Sequence, residues 1–188
     1  MPEPAFFNYE RILDSLNDGV YVTDRERRIV YWSPAAERIT GWPADEILGK
    51  RCCDNVLSHI DKDGHPLCGE EYCPLHRSII TGESNTAPII VFAQSKDGNR
   101  IPMQVSVSPI RGATGEIVGG VEIFRDFSEI HVDLERARKI QRAALARKLP
   151  RDPRIAFATQ YIPLDLIGGD FYAIEKTGPD AYAFLLAD

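Results

Sequence analysis

The stretch Ile101-Pro102-Met103-Gln104-Val105-Ser106-Val107-Ser108 constrains the fold of this chain most tightly. Its large apolar side chains fall on every second position, with small or polar residues between them. That is the period of a β-strand with one buried face. Such a strand needs neighbours to satisfy its backbone and a second layer to cover its apolar side. The sequence supplies the neighbours. Val20–Thr23 and Ile29–Trp32 are β-branched and aromatic runs on either side of the polar turn Asp24–Arg28, the pattern of an antiparallel hairpin. Ile89–Ala93 precedes a turn at Asp97-Gly98-Asn99, and Ile117–Phe124 follows the turn Gly112–Gly115.

The cover comes from short helices. Residues 8–17 place apolar side chains at 9, 12, 13 and 16. Ser33-Pro34 reads as an N-cap followed by proline in the first turn, with Gly41 ending that helix. Pro43–Gly49 and Leu75–Gly82 repeat the helix-then-glycine pattern. Two strands, several short helices and three further strands predict an α+β domain built on a five-stranded antiparallel sheet.

The 188 residues are enough for one such domain plus part of another. A net charge of −6 argues against a nucleic-acid groove binder, whose contact surface is basic. No apolar run approaches the ~18 residues of a membrane span. Met1–Phe7 has neither the basic segment nor the apolar core of a secretory leader. The expectation is a cytoplasmic protein with no nucleic-acid or membrane partner.

The first domain resembles a PAS domain over about residues 8–129. The resemblance rests on Gly19–Asp24, Ile29–Ser33, Pro34, Ile39-Thr40-Gly41-Trp42, Asp97-Gly98 and the exit Asp126-Phe127-Ser128-Glu129, in that order and spacing. It implies a sensor of small molecules, redox state or light within residues 1–129, and a tendency to dimerise. Residues 130–149 follow without Gly until Pro150, and place Ile130, Leu134, Ala137 and Ala144 at spacings of four, three and seven, with Gln141 in the seam. This reads either as a solvated amphipathic helix or as a linker helix that joins two copies in a parallel homodimer.

All four cysteines lie between positions 52 and 73. Cys52, Cys53, Cys68 and Cys73, with His59 as a nearby nitrogen donor, suit Zn²⁺ or an iron–sulfur cluster. Structural thiols, a local disulfide and a thiol redox sensor fit the same pattern. The spacing is not a standard finger or ferredoxin run. Segment 52–75 resembles a cysteine-bearing PAS subgroup through Cys53, Asn55, Leu57, His59, Asp61, Gly64, Leu67, Cys68, Cys73 and Leu75. His59 and His65 flank an acidic turn and read as polar loop residues. His76 lies on the helix that faces the sensor pocket in PAS folds, where some relatives bind haem.

The last segment carries Tyr161-x-Pro163, then Gly168-Gly169-Asp170-Phe171-Tyr172 and finally Leu185-Leu186-Ala187-Asp188. Apolar runs that deliver aspartates at strand ends suit hard cations with oxygen ligands. The paired glycines suit close backbone approach or positive φ. This motif, preceded by Ile140-Gln141 and Leu149-Pro150, resembles the opening of metal-dependent serine/threonine phosphatases of the bacterial stress-response and sporulation type. The resemblance implies that residues 150–188 begin an α/β-sandwich phosphatase domain that this chain does not complete. It also implies Mn²⁺ or Mg²⁺ held by Asp170, the Phe171 backbone carbonyl and Asp188, and a two-ion attack of water on phosphoserine or phosphothreonine. Its implied substrate is a phosphorylated anti-sigma-factor antagonist. The family motif has Asp after the tyrosine, where this chain has Ala173. Diguanylate cyclases also carry Gly-Gly-Asp, but the Glu that follows it there is Phe171 here. The expected function is the sensory part of a PAS-controlled phosphatase in sigma-factor partner switching, the 188 residues alone being inactive. The alternative is a sensing and dimerising module with no catalysis.

Overall fold

The computed structural model describes residues 9–54, 56–69, 72–146, 149–163 and 166–188. Asn55 and residues 147–148 of the expected linker lie outside the described residues. The chain divides into two compact units, residues 1–128 and 129–188.

The first unit runs α1 (Tyr9–Asp14), β1 (Gly19–Asp24), β2 (Ile29–Trp32), α2 (Pro34–Thr40), α3 (Ala44–Ile47), α4 (Pro74–Thr81), β3 (Asn85–Gln94), β4 (Arg100–Arg111) and β5 (Ile117–Asp126). The strands form one antiparallel sheet in the order β2-β1-β5-β4-β3. The last strand therefore inserts between the first and the fourth. β3 begins at Asn85, earlier than the apolar run that starts at Ile89, because the chain is already paired with β4 at Val107 before a bulge. α1 stops at Asp14, three residues short of the periodic pattern.

Met103, Val105 and Val107 face the core from β4 as the alternation requires, joined by Val91 and Ala93 of β3 and Phe124 of β5. The helices and the cysteine segment cover them with Ala36, Ile47, Leu57, Leu75 and Ile79. At its centre the rings of Tyr21, Trp32 and Phe124 pack 5.6 to 6.4 Å apart, a spacing favourable for tilted aromatic contacts. α4 approaches β5 over Gly120, where any Cβ would stand 2.7 Å from Leu75 Cδ1. Ser33 is fully buried and serves twice: its Oγ accepts from Ala36 N–H at 3.1 Å as the N-cap of α2 and from Val20 N–H at 2.9 Å. One hydroxyl thus fixes both the start of a helix and the middle of the sheet.

Residues 57–60 run along the outer edge of β3. Ile60 and Phe92 exchange backbone hydrogen bonds of 3.0 and 2.9 Å, and Gln94 N–H donates to Leu57 O at 2.6 Å. This pairing satisfies an edge that would otherwise be open and decides which side chains of the cysteine segment point inward.

In the second unit, α5 (Ser128–Leu145) is followed by a two-stranded hairpin, β6 (Phe171–Gly178) and β7 (Ala181–Ala187). Leu134, Ala137 and Gln141 of the expected seam are half-buried, whereas Ile130 and Ala144 are exposed. Asp152 is enclosed by Arg154, Lys176 and Tyr182, each of which donates to it. The hairpin leaves Phe184, Leu185 and Leu186 exposed. Of the expected fragment of an α/β sandwich, the described residues of this unit show a helix and a hairpin.

Candidate functional sites

The first site lies inside the PAS-like unit. Glu122 on β5 stands opposite Tyr21 of β1 and Val107 of β4 in register, on the face that carries Phe124. A carboxyl therefore projects into the apolar core, only 2% exposed. His59, inward because Ile60 pairs with Phe92, meets it: His59 Nε2 is 3.8 Å from Glu122 Oε1. Neither atom has a hydrogen-bond partner among the described residues. Burial raises the Glu122 carboxyl to about 8, with the Tyr21 hydroxyl pulling slightly the other way. Burial, reinforced by the Arg100 charge, lowers His59 to about 4. The pair is consequently neutral around pH 7. Sequence reasoning missed Glu122 altogether.

The four cysteines differ in burial. Cys52 and Cys73 are buried in the core, whereas Cys53 and Cys68 are half-buried, with Cys53 Sγ 3.7 Å from Asp54 Oδ1. None forms a disulfide. Burial raises the Cys52 thiol far above its usual range and the Cys68 thiol to about 12, and raises Cys73 as well. Buried, protonated thiols are poor nucleophiles. Two of them nevertheless have partners that favour an anion on sulfur. Cys68 Sγ accepts the His59 backbone N–H at 3.0 Å. Cys73, at the start of α4, is favoured by the N–H groups of His76 and Leu75 and by Arg27. Cys52 has none; every neighbour opposes its thiolate.

His65 lies in an exposed turn, with Nδ1 3.0 Å from Asp61 Oδ2. With Asp63 these are the one group among the described residues whose three ligand atoms all lie within 4.8 Å of one another. His76 does not face the interior. Leu75 and Ile79 take the inward positions of α4, and His76 lines a surface hollow with Arg25, Ile80 and Glu116.

The second site is the open end of the β6–β7 hairpin. Phe171 pairs with Ala187, so Asp170 and Asp188 flank the same pair from opposite strands. They share an open hollow of about 440 Å³ with Tyr161 and Phe171. A Cβ on Gly169 would stand 3.6 Å from Asp188 Oδ1. Gly168 serves close approach rather than positive φ, since a Cβ there would overlap the Tyr161 hydroxyl and press on Pro163. The tyrosine, proline and glycine of the motif therefore meet in space. Gln141 of α5 clamps the same glycine: its Nε2 donates to Gly168 O at 2.5 Å, and Gly168 N–H donates to its Oε1 at 3.3 Å. Two carboxylates brought to one hairpin end, beside a glycine that leaves room, fit the oxygen chemistry of Mg²⁺ or Mn²⁺. Asp170 and Asp188 would hold the ion, which supplies charge to activate water.

A five-stranded antiparallel sheet in this order, with helices and a long segment over one face, defines a sensory α+β domain, and a profile of the PAS fold matches residues 8–127. The chain belongs to the PAS fold family. It is 28% identical over 130 residues to the probable diguanylate cyclase DgcE of Escherichia coli, a match covering 68% of this chain and 11% of that protein. It is 32% identical over 88 residues to Protein TWIN LOV 1 of Arabidopsis thaliana, covering 47% of this chain and 20% of that one. With the blue-light photoreceptor of Listeria monocytogenes it shares 30% over 112 residues, 56% of this chain and 41% of the relative. The chain thus spans less than half the length of these relatives. Histidine kinases are also among the similar proteins, so the shared part is a sensory domain of signalling proteins. Among solved structures, an RNA-binding light-oxygen-voltage receptor aligns with a TM-score of 0.55 at 21% identity, over 77% of this chain and 40% of that one. A light-oxygen-voltage domain studied with a flavin analogue aligns with 0.53 at 18%, over 73% and 97%. These likenesses give the fold alone. No helix among the described residues is long and apolar enough to cross a membrane.

Proposed function

We propose that this chain is the sensory and regulatory part of a PAS-controlled, metal-dependent protein serine/threonine phosphatase that acts in bacterial sigma-factor partner switching. The observation that carries the reading is the hairpin end: Asp170 and Asp188 flank one cross-strand pair, next to the packed Tyr161, Pro163 and Gly168. The substrate in this reading is a phosphorylated anti-sigma-factor antagonist, and the catalytic ions are Mn²⁺ or Mg²⁺. The test is Mn²⁺-dependent release of phosphate from a phosphoserine protein by the full-length protein that carries this chain, against its Asp170→Ala variant. Activity that requires both Mn²⁺ and Asp170 supports the assignment. No metal-dependent activity, or an equally active variant, sinks it.

A second reading, a PAS module that senses and dimerises without catalysis, is favoured by relatives whose matched part serves several different outputs. In both readings the protein is a homodimer through the PAS unit and α5. Sedimentation should show two copies at tens of micromolar, and Leu134→Glu, on the half-buried face of α5, should shift the population toward monomer. An unaltered monomer in both proteins argues for a solvated helix.

A further inference from the structure

Two buried polar atoms without partners are unusual, because a buried unsatisfied group costs about 1–3 kcal/mol. His59 Nε2 and Glu122 Oε1 are such a pair, and they lie 3.8 Å apart. Two ligands of one tetrahedral zinc ion, with bonds of 2.0–2.1 Å, stand roughly 3.3 Å apart. The pair is therefore near the separation that a shared ion would impose. Thiols lie within electrostatic reach of this pair. Glu122 acts electrostatically on Cys52, Cys68 and Cys73, and of these three only Cys68 and Cys73 have N–H groups that favour a thiolate. Amide N–H groups aimed at sulfur stabilise a thiolate ligand, as second-shell partners do in metal sites. Arg27, whose Nη1 donates to Gly69 O at 2.8 Å, holds the Cys68 end of the segment against the domain.

We propose that the interior of the PAS unit carries a site for a single zinc-class divalent ion, with His59 and Glu122 as nitrogen and oxygen ligands and Cys68 and Cys73 as thiolate ligands. The set gives two sulfurs, one imidazole and one carboxylate, which suits a borderline ion of four-coordinate preference. No three of these four ligand atoms lie within 4.8 Å of one another, so binding draws the two sulfurs toward the His59–Glu122 pair. The two thiol protons and the Glu122 proton pass to solvent as the ion enters. Cys52 remains a packing residue, and Cys53, paired with the Asp54 carboxylate, is not a ligand. The exposed Asp61–Asp63–His65 turn carries no such argument, since its polar atoms already hydrogen-bond one another.

The test uses the reduced, metal-free 188-residue chain titrated with Zn²⁺ against a chromophoric chelator, and with Co²⁺ as a spectroscopic probe. One equivalent should bind, and Co²⁺ should give a thiolate-to-metal charge-transfer band with the strong visible bands of a four-coordinate ion. Glu122→Gln and His59→Gln should each weaken binding at least tenfold. Cys68→Ser with Cys73→Ser should abolish the charge-transfer band, while His65→Ala should leave affinity unchanged. Near-ultraviolet circular dichroism establishes that each variant remains folded. Lack of stoichiometric binding overturns the proposal, as does binding lost in His65→Ala but kept in Glu122→Gln and His59→Gln. So does assembly of an iron–sulfur cluster on the same thiols that is indifferent to Glu122 and His59.

Discussion

Replacing Glu122 by Gln should stabilise the metal-free PAS unit, by an amount that grows with pH. The carboxyl titrates near 4.5 when exposed and near 8 in the folded core, because burial disfavours its charged form. A raised acid contributes no penalty below its unfolded pKa. Above it the unfolded chain releases the proton and the folded chain does not, so stability falls until the pH passes the folded value. At about 1.4 kcal/mol per unit, the fall between pH 4.5 and 8 is at most ~5 kcal/mol. His59 runs the other way. Its lowered pKa removes stability as pH falls from 6.5 toward 4, so pH 6.5 to 8 isolates the glutamate. Over that window the gap between variant and wild type should widen by ~2 kcal/mol and then level off. Urea denaturation in chelator at half-unit pH steps measures it, with equal m-values confirming a common unfolded state. The slope does not depend on how well Gln replaces the hydrogen bond from Tyr21. Parallel curves across pH 6.5–8 would refute a carboxyl held protonated in the core.

Three other outcomes are expected. Ser33→Ala removes a helix cap and leaves the buried Val20 N–H without its acceptor, so urea denaturation should show a loss of about 2–4 kcal/mol. Gly168→Ala should displace Tyr161 and open the Gln141 clamp, seen as faster amide exchange at Gly168 and a changed Tyr161 signal while the PAS unit is unaffected. Asp152→Asn should loosen the hairpin, measured by amide exchange across β6 and β7. Because Arg154, Tyr182 and Lys176 hold the Asp152 carboxyl well below the usual range, the wild-type hairpin should lose protection as pH falls below the ordinary aspartate value, and the variant should show no such acid step.

Much of the PAS unit was legible because its strands alternate and its helices start and stop on strong local signals. Met103, Val105 and Val107 share a face by parity alone, and Ser33-Pro34 announces a helix. The same parity places Glu122 with Phe124, so an inward carboxylate is readable from β5. His59 was less accessible. Its direction depends on Ile60 pairing with Phe92, a contact 32 residues away that no local pattern records. The helix that carries His76 does cover the core, but it does so with Leu75 and Ile79. In the second unit the motif placed Asp170 and Asp188, but Gln141 was read as a polar interruption of a seam. Its partner is a backbone 27 residues on, and backbone amides leave no trace in composition.

That clamp makes the acidic loop a gauge of helix register. Gln141 reads Gly168 through both halves of its amide, and the backbone it grips leads directly into Gly169 and Asp170. Each residue of α-helix advances 1.5 Å and turns about 100°. A one-residue change of register therefore turns the Gln141 amide away from Gly168. Both amide bonds are made with one setting of the helix. A rotation of α5 about its axis thus bears directly on the backbone that leads to the Asp170 carboxylate.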